Sequence, residues 1–336
     1  MKTELERRPT AEAETNISLG GTVVRPEIIR IKGRNTNVPS VQIDGRNVIA
    51  VGRFLKTARL FDEELVEGEP VGHPDSFIEK LKQSTLAADI LTFAQRPPDQ
   101  TPKYHGYFEW DNWAMAPTTD FKAWWEGLPQ ESRKNVRRAA KKGVSVRVVI
   151  FDDELVRGIQ GIYNETPVRQ GKRFWHFGKD FETVKMENAT YLGRSEFVGA
   201  FFANKLIGFI KMIYVDHRAM LIQILAMNEH HDKRPMNALL AHTMEVCERK
   251  GIQSLVYGNY VYGKRNDSSL TEFKRRNGFK QVNFPRYYVP LTTKGKAAIR
   301  MNLHLGVSNI MPKPIGDLLL GARAVLAKNW ARITAR

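Results

Sequence analysis

Cysteine is almost absent. The one residue, Cys247 in a chain of 336, has no partner for an internal disulfide, and no Cys/His cluster has the spacing of a structural zinc site. A disulfide-stapled scaffold is excluded, a metal is not expected, and a reducing, cytoplasmic setting is. Met1–Thr15 is polar and charged, without the apolar core of a secretory leader. The longest apolar stretch, 197–215, could span a bilayer by length alone. Asn204-Lys205 interrupts it and Lys211 follows, so two buried strands joined by a turn at Ala203–Lys205 fit better. Acidic residues are scarce too: 36 Asp and Glu stand against 52 Lys and Arg, for a net charge of +16. Such an excess implies acidic company, whether nucleic acid, anionic lipid or a phosphorylated small molecule. Helix-turn-helix, zinc-finger and RRM signatures are missing, which argues against sequence-specific DNA binding.

Periodicity and turn residues divide the rest. Residues 1–21 read as a flexible leader and 22–119 as a smaller α/β half. Within it, Asp44-Gly45 marks a hairpin over Val41–Val51. Strands are expected over Arg53–Phe61, Ala88–Ala94 and Tyr104–Met115, with a loop at 63–74 and a helix at Asp75–Gln83. From 120 to 290 the pattern predicts helices at Asp120–Leu128, Glu131–Lys142 and Asp152–Tyr163, with a strand at Val144–Ile150 between the last two. Three strands follow (196–202, 206–215, 220–227), then helix 236–250, strand 252–257, helix 268–276 and strand 282–289. Residues 291–336 form a basic tail in which Ile315–Ile333 has an amphipathic helical pattern.

Three antiparallel strands, a polar loop opening a helix at Asn228–Leu240, and the run L-T-E-F-K-R-R-N-G-F at Leu270–Phe279 together resemble the GNAT acyltransferase superfamily. The helix S-R-K-N-V-R-R-A-A-K-K-G-V (Ser132–Val144) is similar to the Arg/Lys-rich helix of its FemAB-like branch. The resemblance covers about residues 120–290. It implies an α/β (α+β) fold with a mixed, mainly antiparallel sheet flanked by helices, preceded by a smaller partial GNAT-like half. It also implies transfer of an acyl group to an amine. Members typically hold the pyrophosphate of acyl-CoA on a Gly-rich loop at a helix N-terminus. Here that loop reads N-E-H-H-D-K-R-P-M-N, without glycine, and Lys274 stands where a tyrosine acid is usual.

Acyl transfer to an amine needs a base, an oxyanion site and a donor site. The resemblance puts the oxyanion amides near Ile224–Met227, so Leu225, Ala226 and Met227 are assigned to the donor site, with Lys233, Arg234, Asn237, Asn259 and Lys274. The polar cluster Tyr163–Lys179 lies where such enzymes build the acceptor site. There Glu165 leads as the base and His176 is second, while Asn164, Arg169, Arg173 and Trp175 are candidate substrate contacts. Tyr260 is a candidate acid, and Arg286 is placed facing the cleft. Against each stands a plainer reading, as solvated loop or packed turn. His230-His231-Asp232 resembles a metal cluster in composition, but adjacent histidines point apart and no metal site is assigned.

The charge is concentrated. Glu131–Lys142 carries +5 and residues 291–336 carry +7. On the first of these, basic residues recur at i, i+4, where like charges repel by a few tenths of a kcal/mol per pair. Acetyl-CoA or another acyl-CoA is the leading donor, because the chain lacks the long helical-hairpin insertion of many tRNA-using relatives. The acceptor is a small-molecule or peptide amine. Two alternatives stay open: a FemAB-like transferase using aminoacyl-tRNA, and a non-catalytic RNA-binding or anionic-membrane-binding protein. The tail helix 315–333 is the candidate for peripheral contact at the inner membrane face.

Overall fold

Turn chemistry shapes the first half. In the computed structural model, which describes residues 24–31, 34–263 and 268–305, four strands form a meander. They are β1 (Arg25–Ile31), β2 (Arg34–Ile43), β3 (Arg46–Val51) and β4 (Thr57–Leu60). Asp44 and Gly45 have φ of 50° and 72°, the backbone of a two-residue hairpin whose twist matches its strands. Helix α1 (Pro74–Gln83) crosses to β5 (Ile90–Ala94), which pairs parallel with β4. β6 (Phe108–Pro117) follows. The strand expected from Arg53 is shorter and starts at Thr57, after a left-handed turn at Gly52 (φ 111°). That expected from Tyr104 starts at Phe108, beyond a turn at Gly106 (φ 128°).

The second half opens with α2 (Phe121–Gly127), whose first turn is capped by the Asp120 carboxylate accepting from Ala123 N–H, as an N-cap aspartate should. α3 (Gln130–Lys141), β7 (Ser145–Val149) and α4 (Asp153–Tyr163) come next. The cluster expected as loop contains a two-residue-stranded hairpin, β8 (Val168–Arg169) and β9 (Lys172–Arg173), turning at Gln170-Gly171. It is followed by α5 (Phe181–Asn188), capped by Asp180, an element the periodicity does not announce. Then come β10 (Ser195–Phe202), β11 (Lys205–Val215), β12 (Arg218–Ala226), α6 (Pro235–Arg249), β13 (Ser254–Val256), α7 (Ser269–Arg276), β14 (Lys280–Pro290) and α8 (Thr293–Arg300). The apolar run 197–215 is a hairpin turning at Ala203-Asn204. The leader 1–21 and the helix pattern at 315–333 lie outside the described residues.

The strands make one twelve-stranded sheet in the order β1-β2-β3-β4-β5-β14-β6-β13-β12-β11-β10-β7. All neighbours are antiparallel except β4/β5 and β12/β13, the two pairs that a helix (α1 or α6) connects, as parallel pairing requires. The halves interleave: β14 returns between β5 and β6, while β6 pairs with β13.

β11 is covered on both faces and reads as an almost unbroken apolar run, for that reason. On one face Leu239, Leu240, Met244 and Cys247 of α6 pack on Ile207, Ile210, Met212 and Leu255. On the other, Val156, Ile159 and Ile162 of α4 pack on Phe197 and Phe209. The F-K-R-R-N-G-F run ends α7 against α2. Gly278 has φ 81°, and a Cβ there would lie 2.6 Å from Trp124 Nε1; the Trp124 indole donates to Asn277 C=O at 3.2 Å.

Candidate active site

β12 and β13 pair over only three residues, Arg218–Met220 with Ser254–Val256. β12 continues to Ala226 without β13 beside it. The gap is sharpened by a bulge: Lys211 pairs with Gln223 and Met212 with Leu221, leaving Ile222 extra on β12 and 38% exposed. Such bulges bend a strand and end regular pairing. Met227 N–H donates to Ile207 C=O at 2.8 Å. Strand alternation therefore turns the Ala226 and Ile224 peptide groups toward the opened edge. Leu225 and Ala226, assigned from sequence, are half-buried along this edge, and Met227 is buried at its end.

Lys274, on α7, packs against the segment that follows β13. It is completely buried. Its ammonium donates to Asn259 C=O at 2.5 Å and lies 4.5 Å above the Tyr257 ring and 4.8 Å above that of Tyr262. No carboxylate among the described residues forms an ion pair with it. Burial therefore lowers its pKa from 10.5 to about 8, since removal from water disfavours the charged form. Asn259 also donates through Nδ2 to Asp111 at 3.0 Å. The Tyr260 ring packs against the α6-side core, and its C=O accepts from Thr271 Oγ1 at 3.3 Å.

Arg286 does not reach this edge. Its guanidinium is held by Asp111 (Nε to Oδ2, 2.8 Å) and Glu63 (Nη2 to Oε2, 2.8 Å). Burial opposes its charge, but the two carboxylates outweigh that and raise its pKa. Lys274, Asn259, Asp111, Arg286 and Glu63 thus form one connected polar chain from α7 through the segment after β13 to β6 and β14.

The Tyr163–Lys179 cluster splits into two groups. Arg169 donates to Ala226 C=O (2.9 Å), Ile162 C=O (3.2 Å) and Glu165 Oε2 (2.9 Å). The other Glu165 oxygen accepts from Glu229 N–H at 2.8 Å. Both residues are largely buried and clamp the end of α4 to the end of β12; both carboxylate oxygens serve that clamp. The second group is centred on His176, 5% exposed. Its Nδ1 is 3.2 Å from Lys179 Nζ and its Nε2 3.4 Å from Gln223 Nε2. Gln223 also bonds the Tyr163 hydroxyl (2.7 and 3.0 Å), and Lys179 pairs with Glu187. Lys211, across the strand from Gln223, is 2% exposed and donates to Asn188 C=O, Thr190 C=O and Thr190 Oγ1. Trp175 lies beneath Lys179 at 4.1 Å. Arg173 is exposed, as is Asn164, which accepts from Gly178 N–H through Oδ1. Gln223, Glu187 and Lys211 are absent from the sequence candidates. The charged Lys211 inside an apolar run was the one available signal.

The loop before α6 forms a 3-10 turn over Asn228–Lys233 and enters the helix through Arg234 at φ 57°. Five amides between Glu229 and Ala238 already donate to Glu165 or to carbonyls of Met227, His231 and Arg234, and Pro235 has none. Those five are therefore not open to a CoA pyrophosphate. Side chains offer anion contacts instead: Arg234 Nε is buried without a hydrogen-bond partner among the described residues, and Lys233 sits beside it over Phe202 at 4.7 Å. Asn237 is tied to Asn277 Oδ1 at 3.0 Å. Flanking α6, α3 exposes Lys134, Arg137, Lys141 and Lys142, and α7 exposes Arg275 and Arg276. Ser132 Oγ on Arg276 C=O (2.7 Å) and Lys142 on Asp232 (2.7 Å) join α3 to α7 and to the loop.

No family model matches the sequence, and no curated protein matches it. Solved structures do match. FemX superposes with a TM-score of 0.54 at 12% identity, covering 79% of this chain and 88% of that one. The C-terminal domain of a putative lysylphosphatidylglycerol synthetase from Agrobacterium fabrum gives 0.48 at 16% identity over 76% and 84%. A tandem GNAT protein from the clavulanic acid biosynthesis pathway gives 0.41 at 13% over 81% and 84%. The chain has the GNAT-like fold of FemAB type. Among the described residues no helix is long and apolar enough to cross a membrane, and no three His, Cys, Asp or Glu side chains gather as a metal site.

Proposed function

We propose that this protein transfers an acyl group from an aminoacyl-tRNA to an amine, with Lys274 as the proton-transfer group. The observation that carries the chemistry is a fully buried lysine on α7, without a carboxylate partner among the described residues, held against the segment that follows β13. With a pKa of about 8, roughly a tenth of it is neutral at pH 7, the range in which one group can both accept and return a proton. The acceptor amine attacks the donor ester carbonyl, and neutral Lys274 takes the amine proton. The Ile224 and Ala226 amides face the oxyanion. Collapse breaks the ester C–O bond, and Lys274 returns the proton to the leaving ribose oxygen. Glu165 and Arg169 act as the clamp that fixes Ala226, and His176 positions Gln223.

The spent amides before α6 favour the tRNA donor over acyl-CoA, the sequence-based first choice. The bases of α3 and α7 and the buried Arg234 Nε suit a phosphate backbone, whose binding gains from counterion release. Thermal stability measured with acetyl-CoA, longer acyl-CoAs and aminoacyl-tRNA separates the two. Saturating ligand at 100 times its Kd adds about 2.7 kcal/mol. Stabilisation by tRNA alone is expected; stabilisation by CoA alone would reverse the assignment.

A further inference from the structure

A cavity of ≈ 600 Å³ lies on the first half of the sheet, over β5 and β14 and between α1 and α8. β6 and β13 separate these strands from the opening beside β12, so nothing in the acyl-transfer reading uses it. Its size falls among small-molecule sites, roughly 300–1,000 Å³.

The floor is aromatic: Phe93, Tyr104 and Tyr287 pack with centroids 5.2–5.8 Å apart. Ile78, Val289 and Ile299 complete the walls. The hydroxyls near this floor are already used. Tyr287 accepts from Lys103 N–H (3.0 Å) and Tyr104 N–H (3.3 Å) and donates to Gln95 Oε1 (3.2 Å). Tyr104 donates to Val71 C=O at 2.9 Å. The Tyr104 and Tyr287 hydroxyls are thus already taken, and a hydrocarbon chain over this floor needs no partner.

The rim is cationic. Lys296 and Arg300 stand one turn apart on α8, both exposed and neither in an ion pair among the described residues. Lys103 at the same rim is neutralised by Glu69 (2.9 Å) and Asp99 (3.4 Å). Asp75 is the single carboxylate lining the cavity among the described residues. Two like charges at i, i+4 repel, and a phosphate between them removes that repulsion.

We propose that this cavity binds a phosphate ester carrying a long apolar chain, the chain over the aromatic floor and the phosphate between Lys296 and Arg300.

The test titrates the full chain with octyl, decyl and dodecyl phosphate below their micelle concentrations. Each added methylene should tighten binding about fourfold until the cavity fills. The double variant K296A/R300A, altered only at exposed positions, should weaken dodecyl phosphate at least tenfold while keeping its Tm. Ile78→Trp, which narrows the cavity, should weaken the chain-length dependence. Dodecyltrimethylammonium should not bind. Equal affinity for octyl and dodecyl phosphate, wild-type affinity in K296A/R300A, or equal binding of the ammonium amphiphile would each overturn the proposal. Vesicles distinguish the source. Phosphatidylglycerol vesicles that retain wild type but not K296A/R300A support the site with a membrane lipid as ligand. Dodecyl phosphate binding without vesicle retention supports it with a free lipid phosphate.

Discussion

Replacing Lys274 with methionine should make the protein more stable at neutral pH while stopping the transfer reaction. The buried ammonium has a pKa of about 8 against a reference of 10.5. That lowering of 2.5 corresponds to roughly 3 kcal/mol of charge burial at pH 7. Methionine removes this cost and fills similar volume, but leaves Asn259 C=O without its donor, a loss of about 1–2 kcal/mol. The net expectation is a gain of about 1–2 kcal/mol at pH 7. Between pH 8 and 10.5 the unfolded chain holds the Lys274 proton and the folded one does not, so wild-type stability rises with pH through this window. The variant lacks that contribution, and its advantage must shrink and change sign as pH approaches 10.5. Urea unfolding of both proteins at pH 7, 8, 9 and 10 reads the difference directly, because other titrating groups cancel. A constant difference across that range would refute a lowered Lys274 pKa. In parallel, the pH profile of kcat/KM should bend near pH 8 in wild type.

Three other variants probe different parts. Asp111→Ala leaves the buried Arg286 with one carboxylate and removes the Asn259 anchor; a loss of about 3–5 kcal/mol by denaturant unfolding is expected, and a loss below about 1 kcal/mol would show that the polar chain is not closed. Gly295→Ala would put a Cβ 1.9 Å from Asp89 C=O, so α8 must shift and stability should fall by about 1–3 kcal/mol; an unchanged Tm would mean that α8 does not pack on β5 in solution. The triple variant K134A/R137A/K141A on α3 should flatten the log K against log [salt] slope for tRNA by about 2–3 units, and an unchanged slope would remove α3 from the interface.

Local signals carried most of the elements. Asp44-Gly45, the N-caps Asp120 and Asp152, which accept from Ala123 and Leu155 N–H, and Gly143, Gly251 and Gly278, left-handed just past α3, α6 and α7, fix their turns through local backbone and side-chain chemistry. The 197–215 run was legible as a hairpin because two polar residues sit where the turn must be. What was not legible is non-local. α5 has little amphipathic pattern and is held by its Asp180 cap and by Lys211 reaching its terminal carbonyls. α8 lies inside what reads as a basic tail, since its buried residues are the small Gly295 and Ala298. The interleaving of β6 and β14 follows from pairing between residues about 170 apart, which no window along the chain registers.

The site divides along the same line. Residue types could nominate Glu165 as a base, but not that both its oxygens would be taken by Arg169 and Glu229 N–H. They could place Lys274 at a motif position, but not that α7 would bury it completely. Arg286 drew attention as a cation near a cleft, yet Glu63 and Asp111 convert it into the structural end of a chain that begins at Lys274. That chain crosses from the second half into β6 of the first. The carbonyl on which Lys274 rests is therefore held from outside the motif that marks it. Because Asn259 is anchored on Asp111, the position of the buried amine depends on β6 as much as on β13. The smaller half thus helps to hold Lys274 in place, a role that composition and motif spacing within residues 120–290 have no means of recording.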